Sequence, residues 1–386
     1  MKLSPDSQAL EDFIDNYNVK HFKLSPISTS VIKNIFELLK TANKNNIKYI
    51  KEYFPDTAIN NNADLDDSLQ EIQNDIQVKY NKQFNFEFQI GDRHFYIHMF
   101  YPNNSIKSEC IFTCKKYLLY IYCWLFIANS LAKNKYSKKL TINITFTNHK
   151  KQKPPKTQIF NSVHVNTAYT YACREETNIN IFRKEEWFKV LIHETFHSMG
   201  LDFVCMDNSL IEEKIGELFP VKKYDIRVYE TYCEMWAEII NILFVSFFRS
   251  RRKDFNYIIK KMNKMLAYEA YFSMFQMNKI LENYEMTYSD LLTNRKIYKE
   301  NTYILSYYIL KSIFMCFLNV FIEWCHTYNK DIEFNKTETV LREFGLLIER
   351  LYKNPVFLQN VERIKKVKSS EKFVNDTMRM SLYEMG

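Results

Sequence analysis

Apolar residues along the chain change period, and the changes mark its elements. Over Ser30–Phe54 they recur at helical spacing, and Asp64–Val78 reads as a second, more polar helix after an Asn60-Asn61-Asn62 breaker. The period then becomes two. Phe84, Phe86, Phe88 and Ile90 alternate with polar partners up to Gly91-Asp92, and Phe95, Ile97 and Met99 continue beyond, which predicts a β-hairpin turning at Gly91-Asp92. Ser108–Lys133 is a strongly apolar helix, followed by the strand Leu140–Thr147. A loop over Asn148–Lys156 leads to an extended segment, Ser162–Tyr171, and a short strand, Asn178–Phe182. Helical spacing returns over Lys184–Met199, closed by Gly200, and over 225–249. It holds to the end at about 255–283, 303–328, 337–352 and 355–367, with a polar tail. The expected fold is α+β and mostly helical.

Composition narrows the chemistry. The 386 residues include only 5 glycines, none near another, so a G-x-G-x-x-G turn or a glycine-rich phosphate cradle cannot form. Aromatic residues make up 16% of the chain, which predicts a core of large flat side chains. A net charge of +8 is mild, and the basic runs Lys150–Lys153 and Arg249–Lys253 read as solvated loops or helix ends, so no nucleic-acid partner is expected. The 8 cysteines show no Cys-x-x-Cys pair and several sit in apolar helices, where a free thiol is a small hydrophobe. With a start that lacks the apolar core of a signal peptide, this predicts a reducing, cytoplasmic or other intracellular location. Tyr117–Ala132 is short for the ~20 residues of a membrane span, and Tyr303–Trp324 carries Lys311, Asn319 and Glu323. Both are expected to be buried helices, with no membrane partner.

The helix Lys184–Met199 contains His193-Glu194-Thr195-Phe196-His197, an H-E-x-x-H pattern. Four residues make just over one helical turn, so both imidazoles leave the same face about 6 Å apart. That spacing lets two ring nitrogens reach one zinc ion, while Glu194 is placed to serve a zinc-bound water as general base. Trp187, Phe188, Val190, Leu191 and Ile192 make the rest of the helix apolar, and Gly200 allows a left-handed cap. Catalytic zinc normally takes three protein ligands. Glu230, Glu234 and Glu238 recur every four residues in an otherwise apolar helix, an acidic stripe that calls for a positive partner; a zinc ion and its histidines would supply one.

His193-Glu194-x-x-His197 followed by Glu234-Met235-Trp236-Ala237-Glu238 resembles the gluzincin zinc metallopeptidases. The resemblance implies one zinc ion held by His193, His197 and Glu234, with Glu238 orienting a zinc-bound histidine and Glu230 a flanking acid of unassigned role. It also implies a zincin-like core of small mixed sheet, backing helix (108–133) and motif helix. Asn166-Thr167-Ala168-Tyr169 is similar to the edge-strand segment whose backbone pairs with an extended peptide substrate, which gives Asn166 and Ala168 that role. The stretch Arg183–Ile192 resembles metallopeptidases of nucleocytoplasmic large DNA viruses, which implies host cytoplasm or virion. A third histidine of the metzincin kind is excluded because Phe203 holds its position. Asp202, beside it, is the alternative ligand of an aspartate-type zincin. Tyr229, Tyr232, Tyr224 and His326 are candidates for stabilising the oxyanion, with Tyr229 preferred.

These observations predict a zinc-dependent hydrolase of peptide or protein substrates, divided into a helical N-terminal region (1–82), a zincin-like catalytic domain (83–250) and a helical C-terminal domain (251–386). The alternative is a zincin-fold protein that binds zinc without hydrolysis, such as a virion component. Nothing in the sequence fixes the oligomeric state or the substrate.

Overall fold

Six strands form one mixed sheet: β1 (Lys51–Glu52), β2 (Lys82–Ile90), β3 (Arg93–Tyr101), β4 (Lys139–Thr145), β5 (Ala168–Thr170) and β6 (Glu176–Ile181). Their order is β1-β2-β3-β4-β6-β5. The structure is a computed structural model that describes residues 3–45, 51–52, 67–221, 226–293, 298–329 and 332–385. Most of these residues are helical, so the class is α+β. The chain divides into a sheet unit, residues 32–150 and 166–205, and a helical unit, residues 1–31, 151–165 and 206–386.

In the sheet unit the alternation read from the sequence becomes two opposite rows. Phe86 pairs with Ile97, Ile97 with Ile142 and Ile142 with Ile179, an apolar line across four strands. One residue along, Asn85, His98, Asn143 and Asn180 make a polar line on the opposite face, where Asn143 Nδ2 donates to Asn180 Oδ1 at 2.8 Å. The apolar face carries the backing helix Lys107–Leu131: Phe88 meets Tyr122 with ring centroids 5.5 Å apart. The predicted hairpin forms with Gly91 at φ +60°, the left-handed conformation its turn requires. Strands β3, β4 and β6 run parallel, while β5 lies antiparallel to β6 as an edge strand.

Two sequence expectations in this unit change. The helix expected over Ser30–Phe54 is described over Pro26–Asn45, residues 46–50 and 53–54 lie outside the described residues, and Lys51–Glu52 pairs with β2, with Lys51 Nζ 3.2 Å from Glu87. The helix expected over Asp64–Val78 runs from Gln70 to Lys79 after a 3-10 turn at Asp67–Leu69; the Asn60–Asn62 breaker lies outside the described residues. A third change concerns Ser162–Val165, in the helical unit. Expected to be extended, it forms one helical turn, because His164 N donates to Asn161 O (3.1 Å) and Asn161 N donates to the His164 ring (3.1 Å).

The helical unit is built on Val228–Phe248 and Phe255–Asn283. Every residue from Val228 to Phe247 is buried, so this helix is mostly apolar all round, its polar exceptions being the three acids, Thr231, Asn241 and Ser246. The long helix predicted over 303–328 is broken: Leu305–Cys316 and Leu318–Tyr328 meet at 94°. The tail expected to be polar is also different. Thr377–Tyr383 and Met385 are buried, and side chains satisfy their backbone. Tyr308 Oη donates to Met378 O (2.6 Å), Lys279 Nζ to Thr377 O (2.7 Å), and Asn241 Nδ2 to Tyr383 O (2.8 Å). The apolar residues of Met378-Arg379-Met380-Ser381-Leu382 alternate with polar ones, the pattern of an extended segment rather than of a solvated tail.

Among the described residues, Lys107–Leu131 and Val228–Phe248 are long and apolar enough to cross a membrane by length and composition alone. Burial within the protein covers 94% of the apolar stretch of the second and 56% of the first.

A candidate metal centre

The motif helix, Trp187–Ser198, belongs to the sheet unit and is buried along its whole length. Phe196 stacks on Trp124 of the backing helix (centroids 6.1 Å, planes 10° apart), and Trp187 meets Tyr117 at 4.6 Å. These rings fix the roll of the helix about its axis and hence the face its histidines use. Its C-terminal carbonyls are closed by the loop before β4. Asn134 Nδ2 donates to Met199 O (2.6 Å), and Ser137 Oγ donates to Ser198 O (2.6 Å). That loop is itself held by buried Arg93, whose Nη2 donates to Asn134 O (2.6 Å) and whose Nε donates to Tyr136 O (3.1 Å). Gly200 takes the expected left-handed cap at φ +62°, and a Cβ there would lie 2.6 Å from the Tyr136 ring. Arg93, Asn134 and Ser137 carry no motif in the sequence; they matter because of where the hairpin and the loop bring them.

Nε2 of His197 lies 3.0 Å from Nε2 of His193. Two nitrogens bound tetrahedrally at 2.0–2.1 Å from one zinc ion would stand about 3.3 Å apart, so a shift of a few tenths of an ångström admits the ion. On its other side, His197 Nδ1 lies 2.5 Å from Asp202 Oδ2. An Nδ1–H donated to this fully buried carboxylate leaves a lone pair on Nε2, the tautomer a metal requires. Asp202, weighed from the sequence as an alternative ligand, is thus the carboxylate that orients His197. Glu194 is also buried in this unit, at 7% exposure.

Asn166 and Ala168 also lie in the sheet unit. Ala168 opens edge strand β5, paired with Ile181, and Asn166 precedes it by two residues. The remaining predicted residues belong to the helical unit. Tyr229, Glu230, Glu234 and Glu238 are all buried on Val228–Phe248. The positive partner expected of this stripe is present as a lysine: Lys311 Nζ is 2.8 Å from Glu238 Oε2 and 3.5 Å from Glu234 Oε2. Burial opposes the charge on Lys311, but the fields of Glu238, Glu234 and Glu269 outweigh it and raise its pKa above the usual value. Glu238 also accepts from Ser381 Oγ at 2.8 Å. Glu269, pushed up by burial and by Glu238, accepts from Leu382 N (2.8 Å) and Tyr383 N (3.0 Å). Tyr232 is a core residue whose hydroxyl donates to Ile332 O, His326 is exposed on Leu318–Tyr328, and Tyr224 lies outside the described residues.

Cysteine pairing departs from the sequence reading. Cys173 and Cys205, both in the sheet unit, form a disulfide with Cα atoms 6.1 Å apart, and the other six are free thiols. A separation of 32 residues hides the pair from any spacing rule.

Buried side chains of kinds that hold a metal ion are therefore present: His193, His197 and Asp202 in the sheet unit, Glu230 and Cys233 in the helical unit. Comparison with known protein families, with curated proteins and with solved structures finds nothing that matches this chain.

Proposed function

We propose that the chain is a zinc-dependent metallopeptidase. The observation that carries this reading is the His193–His197 pair, with ring nitrogens 3.0 Å apart and His197 oriented by Asp202. The third ligand is a carboxylate of Val228–Phe248, Glu234 by the gluzincin resemblance. Zinc would supply a Lewis acid that polarises a peptide carbonyl and acidifies water. Glu194 takes the proton from the attacking water and delivers it to the leaving amine. Edge strand β5 offers backbone groups to an extended peptide, with Asn166 and Ala168 at its start. Tyr229 is assigned to the developing oxyanion.

The test is Glu194→Gln. It keeps the side chain's size and leaves the histidines in place, so zinc content should stay at one ion per chain while hydrolysis of a peptide library falls by at least about a hundredfold. Undiminished cleavage by this variant would remove Glu194 from the mechanism. Wild-type protein that purifies without zinc and takes none up would end the metallopeptidase reading.

A further inference from the structure

The Cys173–Cys205 disulfide reaches the His193–His197 pair through a short run of contacts. Cys173 lies in the turn between edge strand β5 and β6, and Cys205 lies three residues beyond Asp202. Val204 N donates to Asp202 Oδ1 (3.3 Å), Asp202 Oδ2 accepts from His197 Nδ1, and His197 Nε2 faces His193. At the other end of this loop, Leu201 N donates to Phe196 O (2.8 Å) on the motif helix. The loop bearing Asp202 is thus fixed at its start by the helix and at its end by the sulfur bridge.

The bridge also includes the most exposed cysteine of the chain. Cys173 is exposed and Cys205 half-buried, whereas five of the six free thiols are buried. Cys173 has φ +62°, a conformation strained for a residue with a Cβ. Its turn is otherwise held by Thr177 Oγ1 donating to Tyr171 O (2.7 Å) and Ser137 N donating to Arg174 O (2.8 Å). Ser137 is the residue whose hydroxyl caps the motif helix. Exposure and backbone strain are the marks of a disulfide that exchanges rather than one that only staples.

We propose that Cys173 and Cys205 are a redox-active couple that sets how firmly the His193–His197 pair holds its metal, acting through Asp202. The inference rests on the zinc reading for the quantity it controls. The co-reactant is a dithiol, small or protein-borne. One of its thiolates attacks a sulfur of the bridge, forming a mixed disulfide and freeing one cysteine. Its second thiolate then displaces the other cysteine and leaves as a disulfide, so two electrons and two protons pass to Cys173 and Cys205. With the bridge open, the end of the loop is released, the carboxylate of Asp202 loses its fixed position on Nδ1, and His197 becomes a poorer ligand. The same two exchanges run in reverse with the oxidised, disulfide form of that co-reactant, which takes up the two electrons and two protons and restores the bridge.

The experiment compares oxidised wild type with the same protein reduced by a phosphine and desalted under inert gas. Reactive thiols are counted by alkylation and mass spectrometry, and zinc affinity is read by competition with a colorimetric chelator. Reduction should expose two further thiols, at 173 and 205, and weaken zinc binding by about ten- to a hundredfold. The double variant Cys173→Ser/Cys205→Ser should bind at the reduced level under both conditions. Equal affinity in the two wild-type states, with the thiols shown to have opened, overturns the couple's role and leaves the zinc reading standing. Thiols at 173 and 205 that alkylate fully in the oxidised preparation overturn it as well. Zinc binding in neither state removes the metal reading and the couple together.

Discussion

His197 shows how much of a histidine's fitness to bind a metal is set by the nitrogen that would face away from the ion. Its Nδ1 is 2.5 Å from a carboxylate with no exposure to solvent, so ring orientation and tautomer are fixed before any ion arrives. Removing that carboxylate should cost affinity without touching the ligands. Asp202→Ala is expected to weaken zinc binding about ten- to a hundredfold in chelator competition, and Asp202→Asn, which keeps an acceptor but not the charge, should fall between it and wild type. Affinity unchanged in Asp202→Ala would show that the 202 carboxylate does not tune the site. At this scale the sequence discloses residue types but not partners. His193, Glu194 and His197 are legible because one turn of helix fixes their geometry. Asp202 lies beyond the helix, and its role depends on the turn at Gly200, which the sequence suggests but whose direction it does not give.

At the scale of elements, the period of the pattern is the reliable signal. The hairpin at Gly91-Asp92 and the strands predicted around Leu140–Thr147 and Asn178–Phe182 form close to where they are expected, because a one-residue slip would carry Phe86, Ile97, Ile142 and Ile179 to the polar face. The predicted 303–328 helix bends at Phe317 because the same run of apolar residues is compatible with one helix or two. The polar row has a consequence of its own. His98 is 4% exposed, and burial pushes its pKa down to about 4 despite a hydrogen bond with Asn143. An unfolded histidine titrates near 6.5, so between those values the unfolded chain binds the extra proton. Stability should therefore fall as pH drops from about 6.5 to 4, by as much as about 3 kcal/mol from this residue. Glu300 runs the other way: burial raises its carboxyl to about 7, and its ionisation weakens the fold as pH rises. The clean measurement is a difference. Denaturant unfolding of wild type and His98→Gln, compared from pH 7 to 4, should show the variant losing less stability on acidification; parallel curves would mean that His98 is not the group responsible.

At the scale of the whole molecule, charges far apart in sequence meet inside the helical unit. The acidic stripe on Val228–Phe248 announces that a cation must oppose it, but its spacing does not say which one. Lys311, noted in the sequence only as a charge spoiling an apolar stretch, is that cation. Because the lysine is 2% exposed, deleting its charge leaves carboxylates buried and unpaired, an expensive arrangement. Lys311→Met should lower unfolding free energy by about 3–5 kcal/mol in denaturant titration. Adding Glu238→Gln should recover part of the loss, and a double variant no better than the single one would show that the pairing with Glu238 is not what Lys311 contributes.

The interleaving of the two units sets an order of events during synthesis. By the time a ribosome has delivered Cys205, every strand of the described sheet, both imidazoles of the motif helix and the aspartate behind them have been made. The helical unit is completed later, since Glu269 takes hydrogen bonds from the amides of Leu382 and Tyr383, 113 and 114 residues further along the chain. The nascent chain therefore holds the paired imidazoles and the carboxylate behind them well before the helical unit is complete, and on the zinc reading the third ligand is delivered only with that later unit.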